Sequence, residues 1–541
     1  MSGETSLLTF GIGPVHTFIA QARRIADVWA GSYMLSHLVR QAMGVVHRES
    51  DPRAQLIFPF VEKGNDAIPE GLPNRFVCRI PRGEEDAFAE RMKASVEDVW
   101  RMAVKDAVQV LGRYGIDPSE SSLLQAEQLL QIAWSWVPET GGYAKAALAG
   151  ANLYTSMRLF RPFPQVGESG EKCAICGERN ALPDGTRWKV EKAWLDAEQQ
   201  ASEQEKPLGR FLRFGQTRFC LVCATKRLFT YLEERRRSRF LALDAFQPDE
   251  NEPYIAMVKL DGDRMGSLLA LGPDVMLQGD LERFHREVSK ALTAFAHGLR
   301  SGHSPDLNLE TLGGYQPAGR QHPQLLYAGG DDVLFVCDPR DALPLARALR
   351  KHYHDAFEKA RQCLLRTEDQ ERLTMSGAIY FDHSGHPAGL LLRDLEELLK
   401  KGAKDKGGRD ALAIRLEKRG GAPVDVVFPW NQNVSDSSEE SWPGAIHALV
   451  ELLRQGTLSS SHTFSLRLEE RILLKVFADS TDQVERWKKW LSERLTRSLG
   501  TAAQAEGLAA RLAPFFLHER TGALRIARFL GVEAERGGDR R

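Results

Sequence analysis

Residues 325–338, LLYAGGDDVLFVCD, set two apolar runs on either side of Gly329, Gly330, Asp331 and Asp332. Two such runs joined by glycine fold back as a hairpin, because a two-residue hairpin turn needs residues that accept positive φ. The hairpin reads as buried, yet two adjacent carboxylates stand where its second strand begins. Crowded like charges cost free energy unless a cation is held between them. The bland reading is an ordinary surface turn. It weakens because a second apolar strand, YIAMVKL from Tyr254, also runs into acid at Asp261-Gly262-Asp263.

The elements around these acids fall in a recognisable order. After the strand ending at Asp261 come a helix, a polar Gly/Pro loop at 313–323, the hairpin, a helix over 341–366, a strand at 374–381 and a helix at 392–402. That β-α-β-β-α-β order is ferredoxin-like, and a further strand-like run, ALAIRL, covers 411–416. In such a fold the first strand and the hairpin are neighbours about 4.8 Å apart, so Asp261, Asp331 and Asp332 meet at one end of the sheet. Hard oxygen ligands without His or Cys suit Mg²⁺ or Mn²⁺. Two such ions can align an attacking hydroxyl with a nucleoside triphosphate. Gly329 and Gly330 leave room for a phosphate chain or base to approach the backbone. Asp263 reads as a cap for the next helix. Lys400, Lys401, Lys404, Lys406 and Arg409 follow the helix that carries Asp394, Glu396 and Glu397. Either they complement the helix dipole, or one of them, Lys404 by preference, contacts the triphosphate.

Four regions follow along the 541 residues. The first, 1–165, is α+β: a strand at 6–12, a helix striped by Val15, Phe18, Ile19, Ala22, Ile25, Ala26 and Trp29, strand-like runs at 55–60 and 75–80, and a long helix over 84–113. It reads as a weak second copy of the ferredoxin-like unit. Region 166–240 is polar and includes AEQQASEQEKPLG, read as a solvated insertion. It also holds Cys173-Ala-Ile-Cys176 and Cys220-Leu-Val-Cys223, four of seven cysteines. Two C-x-x-C knuckles in a reducing compartment make a closed, structural Cys₄ zinc site. The acid-bearing unit spans 241–425. After a linker at 431–444, region 426–541 is helical, with a stripe at Ile446, Leu449, Leu452 and Leu453.

Bulk properties narrow the function. No apolar run reaches the length of a membrane span, and the N-terminus has no leader pattern, so a cytoplasmic protein is expected. The net charge of −1 gives no global attraction to nucleic acid. RNA contact would need a local patch or partner subunits.

These pieces resemble the large subunit of type III CRISPR effector complexes, in particular the Cmr branch. GIGPVHTFIAQARRIADVWAGSYMLSHL is similar to that family's N-terminal signature, and the C-x-x-C pairs to its zinc module. KLDGDRMGSLL and YAGGDDVLFV resemble its polymerase/cyclase palm. SGAIYF followed by AKDKGGRDALAI resembles its closing strand and helix, and GTLSSSHTFSL the start of its helical C-terminal domain. The resemblance implies an α+β chain with two ferredoxin-like, nucleotide-cyclase-like palm domains, a zinc module between them and a C-terminal helical domain. It implies conversion of ATP into cyclic or linear oligoadenylates when the complex binds target RNA. Asp261, Asp331 and Asp332 would hold two Mg²⁺ or Mn²⁺ ions with the Gly262 carbonyl. Ser376 would contact the nucleotide and Lys404 its phosphates. Partners would be the other Cmr subunits, guide RNA and target RNA. Many members begin with a histidine-aspartate nuclease domain. This sequence starts at the first palm, and its His354-Asp355 pair reads as a surface pair, so DNA cutting is not expected of it. The competing reading is a catalytically silent scaffold for guide RNA and neighbouring subunits, which would have no need of an intact acid cluster. A diguanylate cyclase shares the palm but not the zinc module or the second palm.

Overall fold

The computed structural model describes residues 4–62, 68–159, 169–246, 253–364, 373–430 and 442–533, apart from most of 205–217 and 460–481 and from 271, 277–278, 303, 320, 421, 500 and 518–520. The first unit runs β1 (Thr5–Gly13), α1 (His16–Ala20), α2 (Ile25–His47), β2 (Gln55–Phe58), β3 (Phe60–Val61), β4 (Arg75–Pro81), α3 (Glu85–Gly112) and β5 (Gln131–Pro138). Its sheet has the order β3-β2-β4-β1-β5. The second unit follows α4 (Leu221–Tyr231) and α5 (Glu234–Asp244). It comprises β6 (Tyr254–Gly262), α6 (Leu281–Gly298), β7 (Gln324–Gly329), β8 (Asp332–Cys337), α7 (Pro339–Ala356), β9 (Met375–His383), α8 (Ala388–Glu397), a π-helical run Leu398–Lys406, β10 (Ala411–Leu416) and β11 (Val424–Pro429).

The second sheet has the order β11-β10-β9-β6-β8-β7. Leaving aside the two-residue β3, β5-β1-β4-β2 repeats the order of β9-β6-β8-β7. Both units are therefore ferredoxin-like palms, as the element order led us to expect.

Alternation along the second sheet divides its side chains between two cores. Met257, Leu334, Val336, Ala378 and Tyr380 pack with the first palm and the cysteine region. Ala256, Val258, Leu260, Phe335, Ile379 and Phe381 pack with α6, α7 and the C-terminal helices. A sheet covered on both faces explains the near-continuous apolar runs of β6 and β8.

Some details differ from the sequence reading. AEQQASEQ, read as a solvated insertion, is the end of a helix, Arg187–Gln204, with Glu198, Gln199 and Gln200 exposed. Ala, Glu and Gln favour helix, and Val190, Trp194 and Ala197 give it a buried stripe. Strand β11 had no counterpart in the reading, and it runs past the expected boundary at 425. The linker at 431–444 lies mostly outside the described residues. Beyond it, helix Trp442–Arg454 buries Ile446, Leu449 and Leu453 as expected. No helix among the described residues is long and apolar enough to cross a membrane.

Candidate active site

The antiparallel register sets Asp261 directly opposite Asp332 on β8 and Ser376 on β9. The turn proper is Gly330-Asp331, because Gly329 pairs with Asp332 in the ladder. Gly330 takes φ +65°, which a side chain would resist. Asp331 then reaches back over Gly262, whose N–H donates to the Asp331 carbonyl at 3.2 Å. A Cβ at Gly262 would lie 2.7 Å from the Asp331 Cβ, so only glycine lets the second carboxylate in. A Cβ at Gly329 would meet the Gly71 carbonyl at 2.6 Å, which locks the hairpin against the first palm.

Cations meet these acids from two sides. The Lys404 ammonium donates to Asp261 Oδ2, and to the Gly262 carbonyl at 3.3 Å. Lys259, one residue-pair back on the same strand face, lies 3.4 Å from Asp332 Oδ2 and donates to Glu396 Oε1 at 3.0 Å. Glu396 in turn meets His16 Nδ1 of α1 at 3.3 Å. Burial alone would lower the Lys259 pKa, but Asp332 and Glu396 outweigh it and hold it above the usual lysine range. Burial and then the neighbouring carboxylates push Asp331 up to about 8. Burial and Asp332 push Asp261 up to about 6, against the opposing pull of Lys404. Asp332 Oδ1 is buried without a partner.

The carboxylates therefore share one site, are short of positive charge, and already accept an ammonium on Asp261 and Gly262. That hard-oxygen donor set fits a divalent ion. Among the described residues, though, only the four cysteines bring three or more His, Cys, Asp or Glu ligand atoms within 4.8 Å of one another. A cavity of about 140 Å³ opens beside Asp332, lined from the first palm by His16, Ser32 and Asn74 and from the second by Lys259, Tyr327 and Glu396.

Two expected roles sit elsewhere. Ser376 is fully buried, and its hydroxyl donates to Asp263 Oδ1 at 2.7 Å rather than facing the cavity. Asp263 caps no helix. Helix Met265–Leu269 has Arg264 at its N-cap and no side-chain cap bond. Asp263 instead accepts from Ser376, from Thr374 Oγ1 at 2.9 Å and from the Asp410 N–H at 2.9 Å. It thereby pins the segment after the lysine run, where Arg409 and Asp410 adopt positive φ. His354 and Asp355 are a surface pair, about 60% exposed each. Sequence reasoning missed Lys259, Glu396 and His16 as site residues. The signal was present in Lys259, the one charge inside YIAMVKL.

The cysteine cluster is closed. Cys176 and Cys220 Sγ are 3.8 Å apart, the spacing of about 3.8 Å expected when four sulfurs surround one ion at about 2.3 Å. The N–H groups of Ile175 and Cys223 donate to the sulfurs of Cys173 and Cys220. Gly177 takes the positive φ of the first knuckle. These residues fit a tetrahedral zinc.

Fold and site together define a two-palm protein of the nucleotide-cyclase-like class, with acids in one palm and a Cys₄ module beside it. Residues 254–413 match the family "Cas10/Cmr2, second palm domain" and residues 7–105 match "CRISPR-associated protein Cmr2, N-terminal". The chain is 23% identical to the CRISPR system Cmr subunit Cmr2 of Pyrococcus furiosus, over 79% of its own length and 63% of that protein's. It thus spans less than two thirds of that relative. In fold it is similar to chains in the type III-B Cmr-beta cryo-EM structures. The TM-score is 0.56 to the apo state, at 13% identity over 92% of this chain and 77% of that one. It is also 0.56 to the complex bound to cognate target RNA, at 14% identity over 92% and 78%. Residues 7–105 and 254–413 thus match two domains of Cas10/Cmr2 proteins, one in each palm.

Proposed function

We propose that this chain transfers nucleotidyl groups between ATP molecules at the Gly329–Asp332 hairpin. It would do so within an RNA-guided type III complex that includes the other Cmr subunits and guide RNA, and target RNA would switch it on. The products would be cyclic or linear oligoadenylates. The observation that carries the reading is the acid cluster where β6 and β8 meet, charge-deficient and next to Gly330, around which no atom lies within 4 Å of a Cβ position.

In this reading the 3′-hydroxyl of one ATP attacks the α-phosphorus of another, forming a phosphodiester and releasing pyrophosphate. Two Mg²⁺ or Mn²⁺ ions, held by Asp261, Asp331, Asp332 and the Gly262 carbonyl, would supply alignment and charge neutralisation. Gly330 keeps a side chain out of the phosphate path, while Gly329 lets the hairpin seat against Gly71 of the first palm. Lys404, already beside Asp261, offers its ammonium to a phosphate oxygen. Lys259, itself held by Glu396, sits against the Asp332 carboxylate. The cavity shared by both palms gives a second nucleotide a place to present its hydroxyl.

The test is the assembled complex with labelled ATP and Mg²⁺, with and without target RNA, read by mass spectrometry. Asp331→Ala/Asp332→Ala should assemble and bind RNA as the parent does. Its oligoadenylate synthesis should fall roughly a thousandfold or more. A double variant that polymerises ATP at the parent rate would move the active site elsewhere.

A further inference from the structure

Behind the hairpin the chain buries more positive charge than it pairs. Arg40 of α2, Arg239 of α5 and Arg300 converge on one carboxylate, Glu70. Both contacts to it are loose, 3.7 Å from Arg40 and 3.9 Å from Arg300. The remaining bonds go to the edge strand β7. Arg300 Nη2 donates to the Ala328 carbonyl at 2.8 Å and Arg239 Nη2 to the Leu325 carbonyl at 3.4 Å. The Nε atoms of all three arginines are buried with no acceptor. Arg239 is 7% exposed. Burial and then Arg300 bring its pKa down to about 10. Burial, followed by Arg40 and Arg236, lowers His37 to about 4. Covering a sheet edge needs donors, and arginines supply them. It does not need three guanidinium groups against Glu70 and the weaker pull of Asp306 on Arg239, since buried charge without enough counter-charge is costly.

The surplus opens outward. Glu70 is 35% exposed and Arg40 is 25% exposed. Arg236 of α5 acts on the same group, lying 4.2 Å over the Phe229 ring and 5.9 Å over Tyr33 while paired with Glu233. Arginines interleaved with aromatic rings suit a phosphodiester backbone with unstacked bases better than a single free phosphate.

We infer that Arg40, Arg239 and Arg300 form a phosphate seat for a single-stranded nucleic acid, with Glu70 as the displaceable carboxylate that occupies it otherwise. The seat is separate from the acid cluster and does not depend on nucleotidyl transfer there. Through Arg300 it touches the Ala328 carbonyl, next to Gly329 of the hairpin.

The test uses the full chain carrying Asp331→Ala/Asp332→Ala, so that the acid cluster contributes nothing to the readout. The probe is a fluorescein-labelled single-stranded oligouridylate, followed by anisotropy across a salt series. Arg40→Gln should weaken binding about tenfold and reduce the salt slope by about 1. Arg40→Lys should keep most of that slope. Glu70→Gln should bind several-fold tighter, the opposite of what loss of a purely structural ion pair would give. An unchanged slope in Arg40→Gln, or a Glu70→Gln chain that binds no tighter, would overturn the seat. Glu70→Gln keeps the test decisive if an arginine variant fails to fold. Competition by inorganic pyrophosphate as strong as by oligouridylate of equal phosphate content would overturn the assignment to a strand.

Discussion

Replacing Lys259 with Met tests whether the acid cluster is held together by charge. Lys259 lies 3.4 Å from Asp332 and 3.0 Å from Glu396, and at an effective dielectric of about 20 each pair is worth about 5 kcal/mol of Coulomb energy. The cost of taking the ammonium out of water offsets most of this. Truncating one partner of a buried charged network costs about 3–5 kcal/mol net. That is roughly a hundredfold or more in local opening, at about 1.4 kcal/mol per factor of ten. Hydrogen exchange of the β6 and β8 amides in EDTA reads this opening directly. Protection there should fall by that factor, while β1 and β4 of the first palm change little. The variant also leaves Asp332 and Glu396 without their shared cation. Saturating Mg²⁺ should therefore restore more protection in Lys259→Met than it adds to the parent, and Lys259→Arg should lie between the two. Parent-like protection in EDTA, or equal gains from Mg²⁺ in both proteins, would refute the reasoning.

Two further outcomes follow from the joint between the first palm and the cysteine module. Arg227 and Asp27 are both fully buried, and Arg227 donates to both carboxylate oxygens at 2.6 and 2.9 Å. Burial alone would raise the Asp27 pKa, but the Arg227 charge and hydrogen bonds outweigh it and hold the carboxyl at about 2, below the ordinary 3.8. A depressed acid stabilises the fold above its unfolded pKa. About 2 kcal/mol should therefore be present above pH ~4 and lost as pH falls through about 2. Acid unfolding followed by circular dichroism should show this loss in the parent and not in Asp27→Asn. For the cysteines, elemental analysis should find one zinc per chain. Cys173→Ser should release it and loosen helix α4, as limited proteolysis would show; a fully folded parent without zinc would end that reading.

What was legible in the sequence was what is local. The hairpin, β6 and the knuckles announce themselves because acid or cysteine at short spacing interrupts strongly apolar or polar runs. The repeated palm could be read only weakly, since the first copy ends its central strand in Gly11 and Gly13 rather than acid. Residues whose partners are far away in the chain were misread or missed. Asp263 looks like a cap because a helix follows it, yet its donors Thr374, Ser376 and Asp410 stand 111, 113 and 147 residues away. Lys259 and Glu396 are 137 residues apart. Only the fold shows that the lone charge of YIAMVKL faces a carboxylate and not water. Ser376 was expected to contact the nucleotide from a motif alone, and only the fold shows that its hydroxyl donates to Asp263.

The sheet that carries the acids serves as a party wall between two neighbouring cores. Its Met257, Leu334, Val336 and Tyr380 face belongs to one, and its Val258, Phe335, Ile379 and Phe381 face to the other. Cutting the chain at compositional boundaries would therefore not release a self-sufficient second palm. The excised piece would carry one bare apolar face, with Lys259 stranded on it without the His16 end of its charge chain. Homologous recombination or engineering that exchanges the second palm must bring the matching face of the first palm with it. On this architecture a change on either face of the wall bears on the strands that carry the hairpin.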